Sequence, residues 1–262
     1  MSPIHPTALV DSSAEIAAGA DIQAYTVVGP ECKVASGVQM QPFSRLVSHV
    51  TLGPNVSVHS GAVLGDTSQH QAYQEHPGRV EIGAGTVIRE GVTVHRPFHE
   101  GGVTKIGEHC FLMANSHVAH DCSVGNKVVI VNGALLAGHV HVDDQVTLSG
   151  CVLIHQYCHI GRLAMLSGGA EITCDVAPFC MVRGRNELIG LNIVGLRRAG
   201  HTAGERRLLK QAFQHALATQ ESLPTAVQQA RKALESGDTD HRALADELLE
   251  FLDAEHPRGI VR

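Results

Sequence analysis

The amino-acid sequence predicts a mainly β protein: a parallel β-helix of hexapeptide repeats over residues 1–186, followed by a C-terminal α-helical domain over residues 187–262. Three observations carry this reading. From Ile4 to Ile172 an aliphatic residue returns at every sixth position, through Ile22, Val28, Val34, Met40 and Leu46 and on to Leu148, Ile154, Ile160 and Leu166. Of the 29 slots in that register, 26 hold Ile, Leu, Val or Met. An amphipathic helix has a period of about 3.6 and a half-buried strand a period of about 2, so a period of six fits neither. It fits stacked short strands that each send one aliphatic side chain into a central column. Second, turn residues follow the slots, as in Gly53-Pro54-Asn55, Gly83-Ala84-Gly85 and Gly125-Asn126-Lys127. Such residues tolerate sharp corners. Third, hydrophobic residues make up 44% of the chain but aromatics only 3%, with no Trp, which suits a narrow interior filled by small branched side chains.

The three exceptions to the register, His70, His76 and Glu100, fall in two gaps, 65–79 and 95–105. Both gaps preserve the sixfold register. Long loops leaving a rigid scaffold are where function concentrates. After Pro178 the period changes. Residues 203–220 place Leu208, Leu209, Ala212, Phe213, Ala216 and Leu217 on one helical stripe. A second helix is expected over about 225–234 with Pro224 at its start. A third is expected over about 240–254, with Leu244, Leu248, Phe251 and Leu252 facing one way. Gly237 separates these two, and Pro257 and Gly259 close the segment. A helical cap would cover the open end of a solenoid core.

The net charge of −6 gives no basic surface for nucleic acid. No apolar run is long enough to span a bilayer. The start, Met1-Ser2-Pro3-Ile4-His5, lacks a basic region followed by an apolar stretch, so no secretory signal is expected. The seven Cys are odd in number and form no C-x-x-C pair. They read as reduced packing residues of a cytoplasmic protein rather than nucleophiles or metal ligands.

The chain carries 18 His. Three hexads make one coil, so residues eighteen apart stack on one face, with adjacent coils about 4.8 Å apart. His120, Gly138 and Gln156 share that spacing, and His139 and His155 each lie one residue from their column. His120, His139 and Gln156 are thus expected to converge on one corner from successive coils. Asp121 follows His120, and an acid beside a His can orient its ring and stabilise the imidazolium. The competing reading is a polar ladder that satisfies itself along the wall. His141 and His159 are also eighteen apart, and with nothing polar around them to suggest chemistry they read as structural. A three-His zinc centre, known on solenoids of this type, would need an aligned trio. None stands out, and no metal or other cofactor is expected.

Longer motifs carry a resemblance. The stretch His117-Val118-Ala119-His120-Asp121-Cys122-Ser123-Val124-Gly125-Asn126 closely resembles the signature of the UDP-N-acetylglucosamine 3-O-acyltransferases, which begin lipid A synthesis. So do Leu136-Ala137-Gly138-His139-Val140, Val142-Asp143-Asp144, His155-Gln156-Tyr157-Cys158 and the run from Ile88 to Arg96. Gly190 to Arg198 resembles the family's nucleotide-contacting segment, and Arg258 to Arg262 its terminus. The similarity covers essentially the whole chain.

The resemblance implies a left-handed β-helix, a homotrimer, and active sites between neighbouring subunits. It implies transfer of a 3-hydroxyacyl chain from acyl carrier protein to a UDP-activated amino sugar. His120 would be the general base, Asp121 its orienting partner, and the N–H of Gly138 the oxyanion donor. His139, His155 and Gln156 would line the substrate, Asn192 and Arg198 would hold the nucleotide, and Gly168 would floor the acyl groove. A hydroxyl attacking a thioester needs a base and an oxyanion donor but no metal. One departure stands out. The family's first loop usually reads Gln-Asp-x-Lys-Tyr, whereas this chain has Gln69-His70-Gln71-Ala72-Tyr73. An acid becomes His70 and a Lys becomes Ala72, which changes both charge and hydrogen-bond direction. UDP-N-acetylglucosamine stays the leading acceptor, but the change points to weakened use of it and to an altered acceptor, either a diamino sugar nucleotide that would be N-acylated or another nucleotide sugar. A non-catalytic relative that binds a nucleotide sugar or acyl carrier protein is the alternative; the intact His120-Asp121 pair counts against it.

Overall fold

The computed structural model describes residues 4–235 and 241–262. Short strands stack into three sheets of nine, eight and ten members, each taking every third strand in chain order and pairing in parallel, except at the end of the ten-stranded sheet, where the last two strands are consecutive and antiparallel. The molecule is a left-handed parallel β-helix with a helical C-terminal segment. Adjacent coils pair in strict register: Val118 lies beside Leu136, Leu136 beside Ile154, and Ile154 beside Ile172. All four point inward and are at most 3% exposed.

A second inward position escaped the sixfold count. The residue two before each aliphatic slot is also buried, and it is small: Ala134 before Leu136, Val152 before Ile154, Ala170 before Ile172. Five of the seven Cys, at 32, 110, 122, 158 and 180, occupy this corner position and are buried. Burial pushes the Cys122 thiol up to about 12 and the Cys158 thiol up to about 11, which keeps both unreactive. The corners themselves turn through residues in the left-handed region, including Asp121 (φ 59°), His139 (φ 61°) and Tyr157 (φ 65°).

The two gaps prove to be whole-hexad insertions. Arg45 pairs with Val63 eighteen residues on, but Val63 pairs with Thr93 and Thr93 with His117, at separations of thirty and twenty-four. The inserted loops leave one corner of the solenoid and fasten to each other. Buried Arg96 donates to Glu75 Oε1 (2.7 Å) and to the His76 carbonyl (3.0 Å). His76 Nε2 in turn donates to the Phe98 carbonyl (2.9 Å).

Beyond the last coil the strands Cys180–Arg183 and Glu187–Leu191 form an antiparallel hairpin, which the period analysis did not foresee. It leads into a short helix α1 (Ile193–Arg198), also unforeseen, and then α2 (Ala203–Ala216). Helix α2 stops at Ala216 rather than 220; at its start Thr202 and Glu205 form a reciprocal capping box. Helix α3 (Leu223–Leu234) starts two residues earlier than expected, because Pro224 is tolerated inside the first turn. Helix α4 (Ala243–Asp253) begins after the expected 240; Asp240 and Gly237 lie outside the described residues. The helices dock on the solenoid through polar pairs. Arg162 donates two hydrogen bonds to Glu247 (2.8 and 2.7 Å), and the nearly buried His256 pairs with the nearly buried Asp175 (2.8 Å). No helix of the described residues is long and apolar enough to cross a membrane.

Truncating a column residue should leave a cavity that the stacked coils cannot close. Leu136→Ala is expected to cost about 2–5 kcal/mol, while Glu171→Ala on the outer wall should stay within about 0.5 kcal/mol. Urea-unfolding midpoints of the two variants check this.

Candidate active site

One corner of the solenoid gathers the His-rich cluster. It joins the strand His117–Val118 of the first sheet to Ser123–Val124 of the second. His120 Nδ1 lies 2.8 Å from Asp121 Oδ2, and both side chains are only 12% exposed. Asp121 Oδ2 also accepts from the backbone N–H of Phe98 (2.8 Å), and the Asp121 N–H donates to Thr104 Oγ1 (2.9 Å). The carboxylate therefore fixes the imidazole ring and the second inserted loop together. With Nδ1 facing the acid, Nε2 of His120 is the nitrogen left for chemistry.

The next coil explains the glycine. A Cβ built on Gly138 would fall 2.4 Å from Cε1 and 2.5 Å from Nε2 of His120, so any side chain there would displace the ring. The flanking N–H groups of Ala137 and His139 donate to the carbonyls of Ile154 and His120. The Gly138 N–H has no acceptor among the described residues. His139 meets His120 edge-on at 5.1 Å, and its Nε2 lies 3.8 Å from Asp121 Oδ2. Burial lowers the basicity of His139 more than Asp121 restores it.

Sequence reasoning missed several members of this corner. The ring stacked on His139 is Tyr157 (4.5 Å, 6° between planes), not Gln156, which is exposed beside it. Its signal was present, because 121, 139 and 157 are also eighteen apart. Phe98 and His99 reach in from the second loop, with His99 5.8 Å from His139. His117 accepts or donates at Thr93 Oγ1 (2.7 Å) and meets His95 edge-on at 4.9 Å. The eighteen-residue arithmetic hid that pair, because the second insertion separates Thr93 from His117 by twenty-four. His70 lies against Phe98 (4.2 Å) and 6.0 Å from His120. Its Nδ1 accepts the N–H of Ala72 (3.2 Å), so in the neutral ring Nε2 carries the proton and is a donor.

The remaining residues singled out from the sequence stand elsewhere. His155 is exposed, and its Nδ1 accepts from Arg258 (2.6 Å). Asn192 stacks above Phe179 at the corner between the second and third sheets. Its Oδ1 caps α1 at Gly195 N–H (2.9 Å), and its Nδ2 donates to the Leu163 carbonyl (2.9 Å). Arg198 is exposed in the last turn of α1. Gly168 lies at the third corner, above the Gly150 carbonyl, where an added Cβ would meet only that oxygen at 3.5 Å. Within one chain His120, Asn192 and Gly168 thus occupy three different corners.

The reading of His141 and His159 needs correction. Asp143 stands between them, hydrogen-bonded to both Nε2 atoms at 2.9 and 3.1 Å. Burial resists ionisation of Asp143, but the two ring hydrogen bonds prevail and hold the carboxyl well below the usual carboxylate range. The acid was visible in the sequence; that a side chain two residues on would turn back between the rings was not.

Known proteins share this sequence pattern and fold. Residues 175–261 match the family model described as UDP N-acetylglucosamine O-acyltransferase, domain 2, and residues 104–138 match the bacterial transferase hexapeptide model. The acyl-[acyl-carrier-protein]–UDP-N-acetylglucosamine O-acyltransferase of Alkalilimnicola ehrlichii is 40% identical over 265 aligned positions covering 100% of both chains. The chain belongs to this acyltransferase family. The family's Campylobacter concisus member is 37% identical over 76% of this chain and 77% of its own. Among solved structures, LpxA of Acinetobacter baumannii superposes with a TM-score of 0.91 at 32% identity, covering 99% of each chain. The UDP-N-acetylglucosamine acyltransferase of Campylobacter jejuni gives 0.89 at 31%, covering 98% of each.

The half-buried His117 gives this family member a pH signature. Burial, then the neighbouring His95 and His120, push its pKa from 6.5 to about 4. The unfolded chain takes up that proton more readily than the folded one, so the stability is present above pH 6.5 and is lost as the pH falls towards 4. Urea midpoints should decline across that window, and His117→Gln should flatten the decline.

Proposed function

We propose that the chain transfers a 3-hydroxyacyl group from acyl carrier protein to a UDP-activated amino sugar at the His120 corner, the first committed acylation of lipid A type synthesis. The observation that carries this reading is the His120–Asp121 pair, packed against the Cα of Gly138, whose N–H has no acceptor among the described residues. The acceptor hydroxyl attacks the thioester carbonyl carbon as His120 Nε2 takes its proton. The Gly138 N–H donates to the oxygen that becomes negative. The C–S bond then breaks, and the imidazolium returns the proton to the leaving thiolate. Asp121 holds the ring in the required tautomer throughout. Residues of the chain complete the reaction without a cofactor, in keeping with a cytoplasmic synthetic step.

Asn192, Arg198 and Gly168 cannot reach His120 in the same chain from other corners of the solenoid, yet they resemble family residues that hold the nucleotide and the acyl chain. A homotrimer that sets one chain's His120 corner beside a neighbour's Asn192 and Gly168 corners reconciles the two. Cyclic symmetry closes such a contact. His139, Gln156 and His155 would then line the path between subunits.

The first loop favours a second reading of the acceptor. His70 presents an N–H donor where the family has a carboxylate, and Ala72 presents nothing where it has a Lys cation. An acceptor whose reacting nitrogen or neighbouring atom accepts a hydrogen bond suits this loop, as in a diamino sugar nucleotide acylated on nitrogen.

Replacing the base should abolish most turnover: His120→Ala is expected to lower kcat by about 10²–10⁴-fold with the fold intact. Asp121→Asn should lose less. Acyl-transfer assays on folded protein check both, and near-normal turnover by His120→Ala would refute the assignment.

Acceptor choice gives a separate expectation. A missing charged hydrogen bond costs about 1.5–3 kcal/mol, or about ten- to a hundredfold in affinity. The wild type should therefore use UDP-N-acetylglucosamine weakly, and His70→Asp with Ala72→Lys should raise that use. Efficient wild-type turnover of UDP-N-acetylglucosamine, unchanged by the double substitution, would rule the altered acceptor out.

A further inference from the structure

Away from the catalytic corner, the outer wall of the second sheet carries a group that the acyl transfer does not use. His141 and His159 are register partners on adjacent parallel strands. Their rings meet edge-on at 4.6 Å. Both Nε2 atoms converge on one oxygen, Asp143 Oδ1, at 2.9 and 3.1 Å. We propose that Nε2 of His141, Nε2 of His159 and the Asp143 carboxylate form a binding site for a divalent transition-metal ion of the zinc class.

The geometry is close to what such an ion needs. All three donor atoms lie within 4.8 Å of one another. In a tetrahedral zinc site, with bonds of about 2.0–2.1 Å, ligand atoms stand about 3.3 Å apart. The two observed separations are a few tenths shorter, so small ring rotations would admit the ion. Two imidazoles and a carboxylate are a donor set that first-row divalent ions take readily, and hard Mg²⁺ or Ca²⁺ does not prefer it.

The support is rigid on one side and open on the other. The backbone N–H of Asp143 donates to Ile160, locking the acid to the strand that carries His159. The His159 ring packs on Phe251 of α4 at 4.8 Å, and Phe251 packs on His256. His141 is half exposed, which leaves room for water to complete the coordination. Charge favours a cation. Asp143, Asp144 and Glu247 border the same shallow cavity as Arg162, and Arg162 is already paired in two-point fashion with Glu247.

Ion binding here would join two successive coils next to the seat of α4, so it should stabilise the folded chain by mass action. The site differs from the His120, Asp121 and His139 group, whose Asp121 Oδ2 already holds His120 and the Phe98 N–H.

Untagged, metal-stripped full-length protein titrated with Zn²⁺ in a calorimeter tests the proposal, with the visible spectrum of the Co²⁺ form as a second readout. One saturable equivalent per chain is expected, with tetrahedral Co²⁺ bands and a higher thermal midpoint in Zn²⁺. The double variant His141→Gln with His159→Gln should lose the equivalent and the midpoint rise while keeping its metal-free acyl-transfer rate. Should that variant fail to fold by circular dichroism, Asp143→Asn alone should weaken Zn²⁺ binding and alter the Co²⁺ bands. Wild-type protein that binds no Zn²⁺ would overturn the proposal. So would an equivalent that survives in these variants, or one that disappears in His139→Gln and not in them.

Discussion

The backbone ladder between successive coils is the constraint on which everything else rests. Each short strand donates to the coil above it and accepts from the coil below, so a residue's neighbour is set by chain length per turn. Where the turn is eighteen residues, Leu136 must lie on Val118 and Ile154 on Leu136. The aliphatic column is the consequence, because an inward slot repeated at every level has no solvent to face. The small residues two positions earlier follow from the same geometry: the triangular cross-section narrows at its corners, and only Ala, Val, Cys, Ser or Thr fits there.

The His120 corner follows from this ladder. Stacked coils bring side chains from distant sequence positions to the spacing of adjacent strands, so His120, His139 and Tyr157 form a continuous ring contact up one edge. The close approach of successive coils forbids a side chain at 138, where the His120 ring occupies the space. The inserted loops supply what a bare solenoid lacks. They leave the wall as whole hexads, preserve the inward register, and clamp each other through Arg96, Glu75 and His76. Phe98 is thereby fixed, and its N–H helps hold the Asp121 carboxylate against His120.

The same rule produces the pair at His141 and His159, one sheet away. There the edge-on rings of two adjacent coils enclose an acid, Asp143, from the coil of His141. Two His-Asp-His groups on one solenoid differ in their surroundings: the first is walled by aromatic loops, and the second faces solvent beside the helical cap.

The sequence by itself determined the solenoid, its core column, the places of its two loops and the His120, Asp121 and Gly138 corner, although strands Val63–Asp66, Arg79–Ile82, Thr93–His95 and Val103–Ile106 run into the gaps and shorten the loops. Each is written in a period or a local run of residues, and the ladder converts period directly into position. The hairpin at Cys180–Arg183 and the helix at Ile193–Arg198 left no periodic trace, since each is shorter than the window in which a period can be read. The stacking of Tyr157 on His139 was available from their eighteen-residue spacing, whereas tertiary structure set the parallel ring planes of these two left-handed corner residues. Tertiary structure alone paired Thr93 with His117 across an inserted loop. It also placed Asn192 and Gly168 at corners away from His120, a separation that follows from three sheets closing into a prism.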